Sequence, residues 1–523
     1  MRVFRTRARL LGSLIAAGLC ALGAFGVASA TASSHNSKSH AAISSGTIKI
    51  GTQLGPDSLD PTGGVSGADQ QWLAFLYAKL INFNSATDVL QPGLATSWNW
   101  VGAKKLQLNL SLRHGVTFQD GTAFNAAAVV YNLQRYMKKG DIADDLQYMT
   151  SVKATGPYSV AIHLSQANSQ IVDGLADRAG MMISPTAAQK EGANFASQPV
   201  GAGPYKFVSE VPNESYTFAA WDGYYANAQT PRVQNITIQL FQTATAMATA
   251  EQTGDIQVAT NVPTNVLKPL QSDSKLEVNI AAGSTPVIVW FDGTLKPLNN
   301  PKMRLAFNLA LNRTAIMKAA TSGLGRVITE LEPRDTPGYV KSQDPLWPAG
   351  GNVAEAKKLV KEAGYPNGVS FTCYNYPGLG YDITDPIIES EEAAVGIHVK
   401  VLDGSASISA GFFKGKSGPC MMSAYATPPD TIQIALSMLY SKSFYDAQAA
   451  DFGVDQYLSK IPTTYTNSGL HSLFSHVWSV EKTDPGAAPM YTAPVVNVYA
   501  KGIKGWVASP ILQDNWSGMY YTS

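Results

Sequence analysis

Hydrophobic and polar residues alternate most regularly at 106–112, where Leu106, Leu108, Leu110 and Leu112 are separated by Gln107, Asn109 and Ser111. A period of two predicts a strand with one buried and one wet face. Turns are expected at His114-Gly115 and Asp120-Gly121, on either side of Val116-Thr117-Phe118. The period then lengthens. Val129, Val130, Leu133, Tyr136 and Met137 recur at helical spacing, with Asn125 placed to cap the helix and Gly140 to end it. Upstream, Thr47 to Gln53 reads as a strand stopped by the turn Gly55-Pro56-Asp57. That loop leaves the carboxyl end of a strand, a usual place for ligands in open α/β sheets.

The second half carries a strand-helix-strand pattern: Val369 to Tyr376, a helix from about Asp385 to Val395, then Ile397 to Leu402. Such a crossover implies parallel strands with helices on the faces, so this half is expected to be a doubly wound α/β lobe. Before it, one helix is predicted from Pro301 to Ala320 and another from Val353 to Ala363, ended by Gly364. The aromatic-rich stretch from Trp506 to Tyr521 needs an existing core to pack on. At 523 residues the chain exceeds one core of ordinary size, so two or three packing units are expected.

The amino terminus adds an export reading. Arg2, Arg5, Arg7 and Arg9 precede a run of apolar and small residues from Leu10 to Val27, and Ala28-Ser29-Ala30 offers a small-x-small cleavage site. Residues 1–30 are expected to be a signal peptide, with an uncleaved anchor as the alternative. Residues 31–46, rich in Ser, Ala, His, Lys and Asn, read as a flexible tether. Removing the four arginines leaves 35 basic against 38 acidic residues, a net charge near −3 that points to neither a nucleic acid nor a membrane surface as partner. Cys20 lies in the apolar run behind Leu19, so lipid attachment is disfavoured. Of the remaining cysteines, Cys373 and Cys420 can pair in an oxidising exterior or remain two buried thiols; both occur in short apolar runs.

Nothing in the sequence supplies a catalytic constellation. Gly-x-Ser-x-Gly, His-Glu-x-x-His, a phosphate loop and Cys-x-x-Cys are all missing. Gly201-x-Gly203 followed by Pro204 lacks the third glycine of a dinucleotide loop. The adjacent carboxylates Asp144-Asp145 and Glu391-Glu392 read as solvated surface. Among seven histidines only His471 and His476 lie close together outside the tether, without the cysteine or second pair a metal site needs. No cofactor is expected. A secreted hydrolase and a metal-chelate binder are the alternatives to a binding protein.

Several stretches carry a family resemblance. Ser58-Leu59-Asp60-Pro61, Gln91-Pro92-Gly93-Leu94-Ala95 and the run from Leu112 to Thr122 resemble the extracytoplasmic solute-binding proteins of family 5, which serve peptide and nickel transporters. Pro199 to Phe207, Gly254-Asp255-Ile256, Arg304 to Arg313 and Ala356 to Tyr365 continue the resemblance in order. Gly115, Gly121, Gly201 and Gly203 in these motifs are expected to supply turns and positive φ rather than ligand contacts.

The resemblance implies a two-lobed, type II periplasmic-binding-protein-like α/β fold, with an extra subdomain in the first lobe. Residues 47–291 and 490–523 are expected in the first lobe, 84–198 in its subdomain and 292–489 in the second lobe. It further implies a monomer that delivers a small, peptide-like molecule to ABC permease subunits from a periplasmic or extracellular position. The first crossing is expected near Val287 to Phe291 and the return near Met490 to Val496, which would put Trp290 and Tyr491 at the hinge. Gly55, Asp57, Trp290, Tyr425, Asp430 and Tyr491 are the expected ligand-binding residues. Where peptide-binding members carry Gly-Trp and an Asp for the ligand's amino terminus, this chain has Ser423 to Asp430 with Asp430 as its one carboxylate, so apolar or amine-blocked peptides are favoured.

Overall fold

The computed structural model describes residues 44–522 apart from 65–69, 85–88, 141–145, 227–232, 333, 335, 337, 376–380, 405–407, 409–410, 413–416, 425–432, 444–449 and 512. The export segment, most of the tether, Asp144, Asp145, Tyr425 and Asp430 lie outside the described residues. The first strand, Ser44–Thr52, begins three residues before the expected Thr47. Its polar start pairs with Val233 through main-chain hydrogen bonds, which need no apolar side chains.

Two mixed sheets dominate. The strands of the first run in the order Leu276–Ala281, Val495–Ala500, Val258–Ala259, Ser44–Thr52, Val233–Leu240, Ser215–Ala220 and Tyr205–Val211. The second runs Arg326–Val327, Ala487–Thr492, Pro286–Phe291, Cys420–Ala424, Val369–Asn375 and Ile397–Asp403. The chain therefore changes sheets twice, between Ala281 and Pro286 and between Thr492 and Val495. The first change precedes the expected Val287 to Phe291, and the second falls within the expected Met490 to Val496; Pro286–Phe291 and Ala487–Thr492 are themselves fully buried, hydrogen-bonded members of the second sheet. Downstream of the second crossing, Trp506, Trp516 and Met519 pack into the first core, and the Trp516 indole donates to Gln71 Oε1 at 3.0 Å.

The alternating leucines lie on Gln107–Leu112, the second strand of a four-stranded sheet ordered Ala95–Val101, Gln107–Leu112, Ser159–Leu164, Met149–Gly156. Helix Ala126–Lys139 covers that sheet, capped by Asn125, which accepts from the Ala128 N–H. Gln119 ties this unit to the first sheet. Its Nε2 donates to the carbonyls of Tyr205, Gly203 and Leu76 at 2.6, 3.2 and 3.3 Å, and its Oε1 accepts from Gly201 N–H at 3.1 Å. Gly115 and Gly121 have positive φ, but Gly201 and Gly203 do not. They are glycine because an added Cβ would lie 2.1 Å and 2.4 Å from the Leu76 backbone.

The expected long helix from Pro301 is two, Pro301–Ala310 and Arg313–Thr321, because Asn312 turns out of the helix and caps the second by accepting from Ala315 N–H. The break points two arginines inward. Arg304 donates to the carbonyls of Pro485 and Leu298 at 2.8 and 2.7 Å, and Arg313 to those of Pro489 and Asn308 at 2.7 and 2.8 Å. Both arginines thus hold the segment that becomes the return strand. Glu392 is buried near Arg313 and Glu391 accepts the Asn312 N–H at 2.7 Å, so this pair is structural rather than solvated surface. Cys373 and Cys420 form a disulfide with Cα atoms 4.8 Å apart, joining neighbouring strands of the second sheet.

Replacing Gln119 with Ala should lower the unfolding free energy by about 1–3 kcal/mol, since it strands several partly buried backbone groups, and urea denaturation measures it. A second effect concerns pH. Glu251 is buried with no hydrogen-bond partner for either carboxyl oxygen, and burial pushes it from 4.5 up to about 9. The folded chain keeps this proton where the unfolded chain loses it, so stability falls as pH climbs from about 4.5 toward about 9. Glu251→Gln should flatten that decline in melting temperature, with the gain over wild type growing up to about pH 9.

Candidate functional site

Strand direction locates the cleft. In the first sheet Ser44–Thr52 runs parallel to Val233–Leu240 and Val258–Ala259, while Leu276–Ala281 leads from the same sheet into the first crossing. In the second, Val369–Asn375 runs parallel to Ile397–Asp403 and Cys420–Ala424. Val287 pairs with both Ala424 and Tyr491, so the carboxyl ends of that parallel trio lie on the edge where the chain crosses. Ala281 pairs with Val495 and Ala259 with Val498, which gives the first sheet the same relation to the crossings. Both sheets thus turn their carboxyl ends toward the shared crossings, the arrangement that leaves polar strand-end groups unspent by the ladder.

On the first side, Gly55 and Asp57 follow Thr52, and Asp57 is exposed. The loop is held from behind: the Trp72 indole donates to Leu54 carbonyl at 2.8 Å, and Leu54 N–H donates to Thr52 Oγ1 at 3.0 Å. The following Ser58-Leu59-Asp60-Pro61 motif is a fastener. Asp60 pairs with Arg135 on helix Ala126–Lys139, Arg135 Nη1 meeting Asp60 Oδ1 at 2.8 Å, and the Tyr77 hydroxyl donates to Leu59 carbonyl. Its hydrogen bonds to Arg135 and Thr62, against the opposing effect of burial, hold Asp60 below the ordinary carboxylate range.

On the second side, Asn375 ends its strand between two acids, its Nδ2 donating to Asp385 Oδ2 at 2.8 Å and Asp403 Oδ1 at 3.1 Å. Tyr491 is buried at this edge, its phenol pushed up by burial and by the Asp385 charge. Trp290 is elsewhere. It pairs with Met421 and Ala487, three residues and about 10 Å along the strand from Val287, and packs in the second core. The structure therefore does not bring Trp290 together with Gly55 and Asp57. The neighbouring Asp292 accepts from Thr294 at the far end of the same strand.

Contacts also bridge the two sides away from the crossings. Ser169 N–H donates to Pro462 carbonyl at 2.8 Å. Lys105 Nζ sits 3.5 Å from the Tyr465 ring centroid, and Trp100 meets that ring edge-on at 6.3 Å. Tyr148, at a positive φ of 66°, hydrogen-bonds Tyr440. Sequence patterning gave no sign of Tyr465 or Asn375, since each matters through a partner hundreds or tens of residues away. His476 is spent on the Ser472 carbonyl at 2.7 Å and stacks on Tyr457. Among the described residues no group of three His, Cys, Asp or Glu side chains is arranged to hold a metal ion, and no helix is long and apolar enough to cross a membrane.

Residues 89–446 match the profile of the bacterial extracellular solute-binding proteins, family 5 Middle. The glutathione-binding protein GsiB of Pectobacterium atrosepticum is 30% identical over 368 residues, covering 69% of each chain. GsiB of Escherichia coli K12 is 28% identical over 441 residues, 80% of this chain and 84% of that one. In structure, the periplasmic binding protein DppA of Helicobacter pylori, solved with the peptide STSA, superposes with a TM-score of 0.82 at 20% identity, covering 91% of this chain and 98% of that one. The oligopeptide-binding protein AppA of Bacillus subtilis, solved with a nonapeptide, gives 0.81 at 19% identity, covering 92% and 100%.

Tyr465→Ala removes both the cation-over-ring contact and the edge-on indole contact. It should shift the ligand-free chain toward open forms, seen as a larger radius of gyration in small-angle X-ray scattering, with little change in circular dichroism.

Proposed function

The chain belongs to the bacterial extracellular solute-binding proteins, family 5, and we propose that it captures an oligopeptide or a molecule of similar size for the permease of an ABC importer. The observation that carries this reading is the pair of sheets that share two crossings and face them with their carboxyl ends. The names of its relatives support it, since they bind glutathione, itself a small peptide, and peptides of four and nine residues. Capture needs no covalent step: open forms sample closure, and a solute that touches both walls stabilises the closed one. We therefore read the chain as a binding protein without catalysis, acting as a monomer outside the cytoplasm and without a nucleic-acid partner.

The lobe boundaries follow the crossings in this reading. Residues 44–281 with 495–522 form the first lobe and 286–492 the second. The Gly55 to Asp57 loop supplies one wall, and Tyr491 with the Tyr425 to Asp430 loop the other. Trp290 drops out of the proposed lining because its pairing with Met421 and Ala487 sets it about 10 Å along the strand from the crossing. The low charge of the chain, 15% of residues, suits selection by shape and hydrogen bonding more than by long-range attraction.

Native mass spectrometry of the purified protein should reveal a co-purified small solute, and a chain that carries and binds none from a peptide mixture contradicts the reading. With the solute identified, Tyr425→Ala should weaken binding by about 1–3 kcal/mol if the ring covers it. Calorimetry checks this, and unchanged affinity places the pocket away from Tyr425.

A further inference from the structure

Beside the first crossing lies a small crevice with a volume of about 80 Å³. It exists because Arg326–Val327 pairs with Thr492 and Tyr491, which carries the following residues along the crossing. Gly283, Ser284 and Thr492 line it from the crossings, and Thr329, Glu330 and Asp344 from the second lobe. Glu330 is 3% exposed, and neither of its carboxyl oxygens meets a donor in hydrogen-bonding geometry. The Val340 amide and the Arg334 charge favour its ionised form without satisfying it.

The other charged groups around the crevice have partners. Asp344 takes Arg334 and the Tyr339 hydroxyl, each at 2.8 Å, and Glu332 Oε1 accepts the Ala435 N–H at 3.0 Å. Arg326 is exposed. An ionised carboxylate this buried, with the Val340 amide as the one donor near it, is poorly solvated, a cost that either a bound proton or an entering cation relieves. From this buried acceptor in a walled crevice at the crossing, and resting on the solute-binding reading above, we infer that the crevice is a subsite for a cationic group of the solute, an ammonium or guanidinium, with Glu330 as its counter-ion.

Size agrees with that assignment. A water molecule needs about 10–15 Å³ of such cavity space, so the crevice has room for several waters or for a charged head group. The remainder of the solute would extend into the cleft. Proton balance follows. Burial, with the charge of Asp344 adding to it, pushes Glu330 up to about 8, so the empty site holds a proton at neutral pH. An entering cation displaces that proton to solvent, and its affinity rises with pH until about 8, where Glu330 is already ionised.

The test uses the full-length mature chain, stripped of bound solute, with Ala-Lys-Ala against Ala-Met-Ala by calorimetry and n-butylammonium against n-butanol by thermal shift. The wild type should prefer Ala-Lys-Ala by about tenfold or more at pH 8, with net proton release at pH 6.5 measured in buffers of different ionisation enthalpy. Glu330→Gln should abolish the preference and the proton release, while Glu330→Asp, which keeps the charge, retains a reduced preference. Peptides bound with the same ratio by wild type and Glu330→Gln overturn the inference and leave the peptide reading intact. A Glu330-dependent shift with n-butylammonium, with neither peptide bound, supports the subsite and counts against peptides as the solute. No Glu330-dependent effect of any cation overturns the inference.

Discussion

Because Pro286–Phe291 and Ala487–Thr492 are hydrogen-bonded neighbours, the two places where the chain changes sheets are held side by side, and the geometry of the cleft follows from that pairing. Two separated connections would resist rotation; adjacent ones make a pivot. The pairing is itself secured from behind by Arg304 and Arg313, which bond the carbonyls of Pro485 and Pro489 on the approach to and within the return strand. Asn308 adds a bond to the Ala487 carbonyl between them. A buried guanidinium is costly unless its donors are used, and Arg313 spends its donors on carbonyl oxygens while its guanidinium lies over the Trp347 ring. The second lobe can therefore turn as a body about its crossing strands without those strands loosening.

On the opposite side of this economy are the contacts among Lys105, Trp100, Tyr465, Ser169 and Pro462. Each is a single polar or ring contact, and one is a main-chain hydrogen bond. Contacts of this strength bias an equilibrium by small amounts, so that a solute bridging both walls decides it. A rim built from a large apolar face would hold the lobes shut whatever the cleft contained.

Much of the scaffold was legible in the sequence because local patterning and tertiary demand coincided. The alternating leucines, the Asn125 cap and the strand-helix-strand unit at 369–403 are all cases where one face or one cap decides the element. The helix from Pro301 was read as continuous because Met303, Leu305, Ala306 and Leu309 recur at helical spacing; the cap that Asn312 provides competes locally and wins. Trp290 was less legible for a different reason. An aromatic in a crossing strand can face either end, and register alone, fixed by Met421 and Ala487, sets its depth. Glu330 had no signal at all, since an acid just after a two-residue strand, with Glu332 and Arg334 close behind it in the sequence, looks like solvated surface until its burial is known.

The strand Val495–Ala500 sits inside the first sheet, between Leu276–Ala281 and Val258–Ala259, although more than two hundred residues of chain intervene between Ala281 and Val495. The amino-terminal half therefore cannot complete its own sheet as it emerges from a ribosome or a translocation channel. Leu276–Ala281 must wait for its partner until nearly the whole polypeptide has been delivered, and such distant pairings close slowly. A precursor of this topology stays incompletely folded for longer than one whose lobes are sequential, which favours threading through a narrow pore and exposes the chain to proteases and chaperones in the interval.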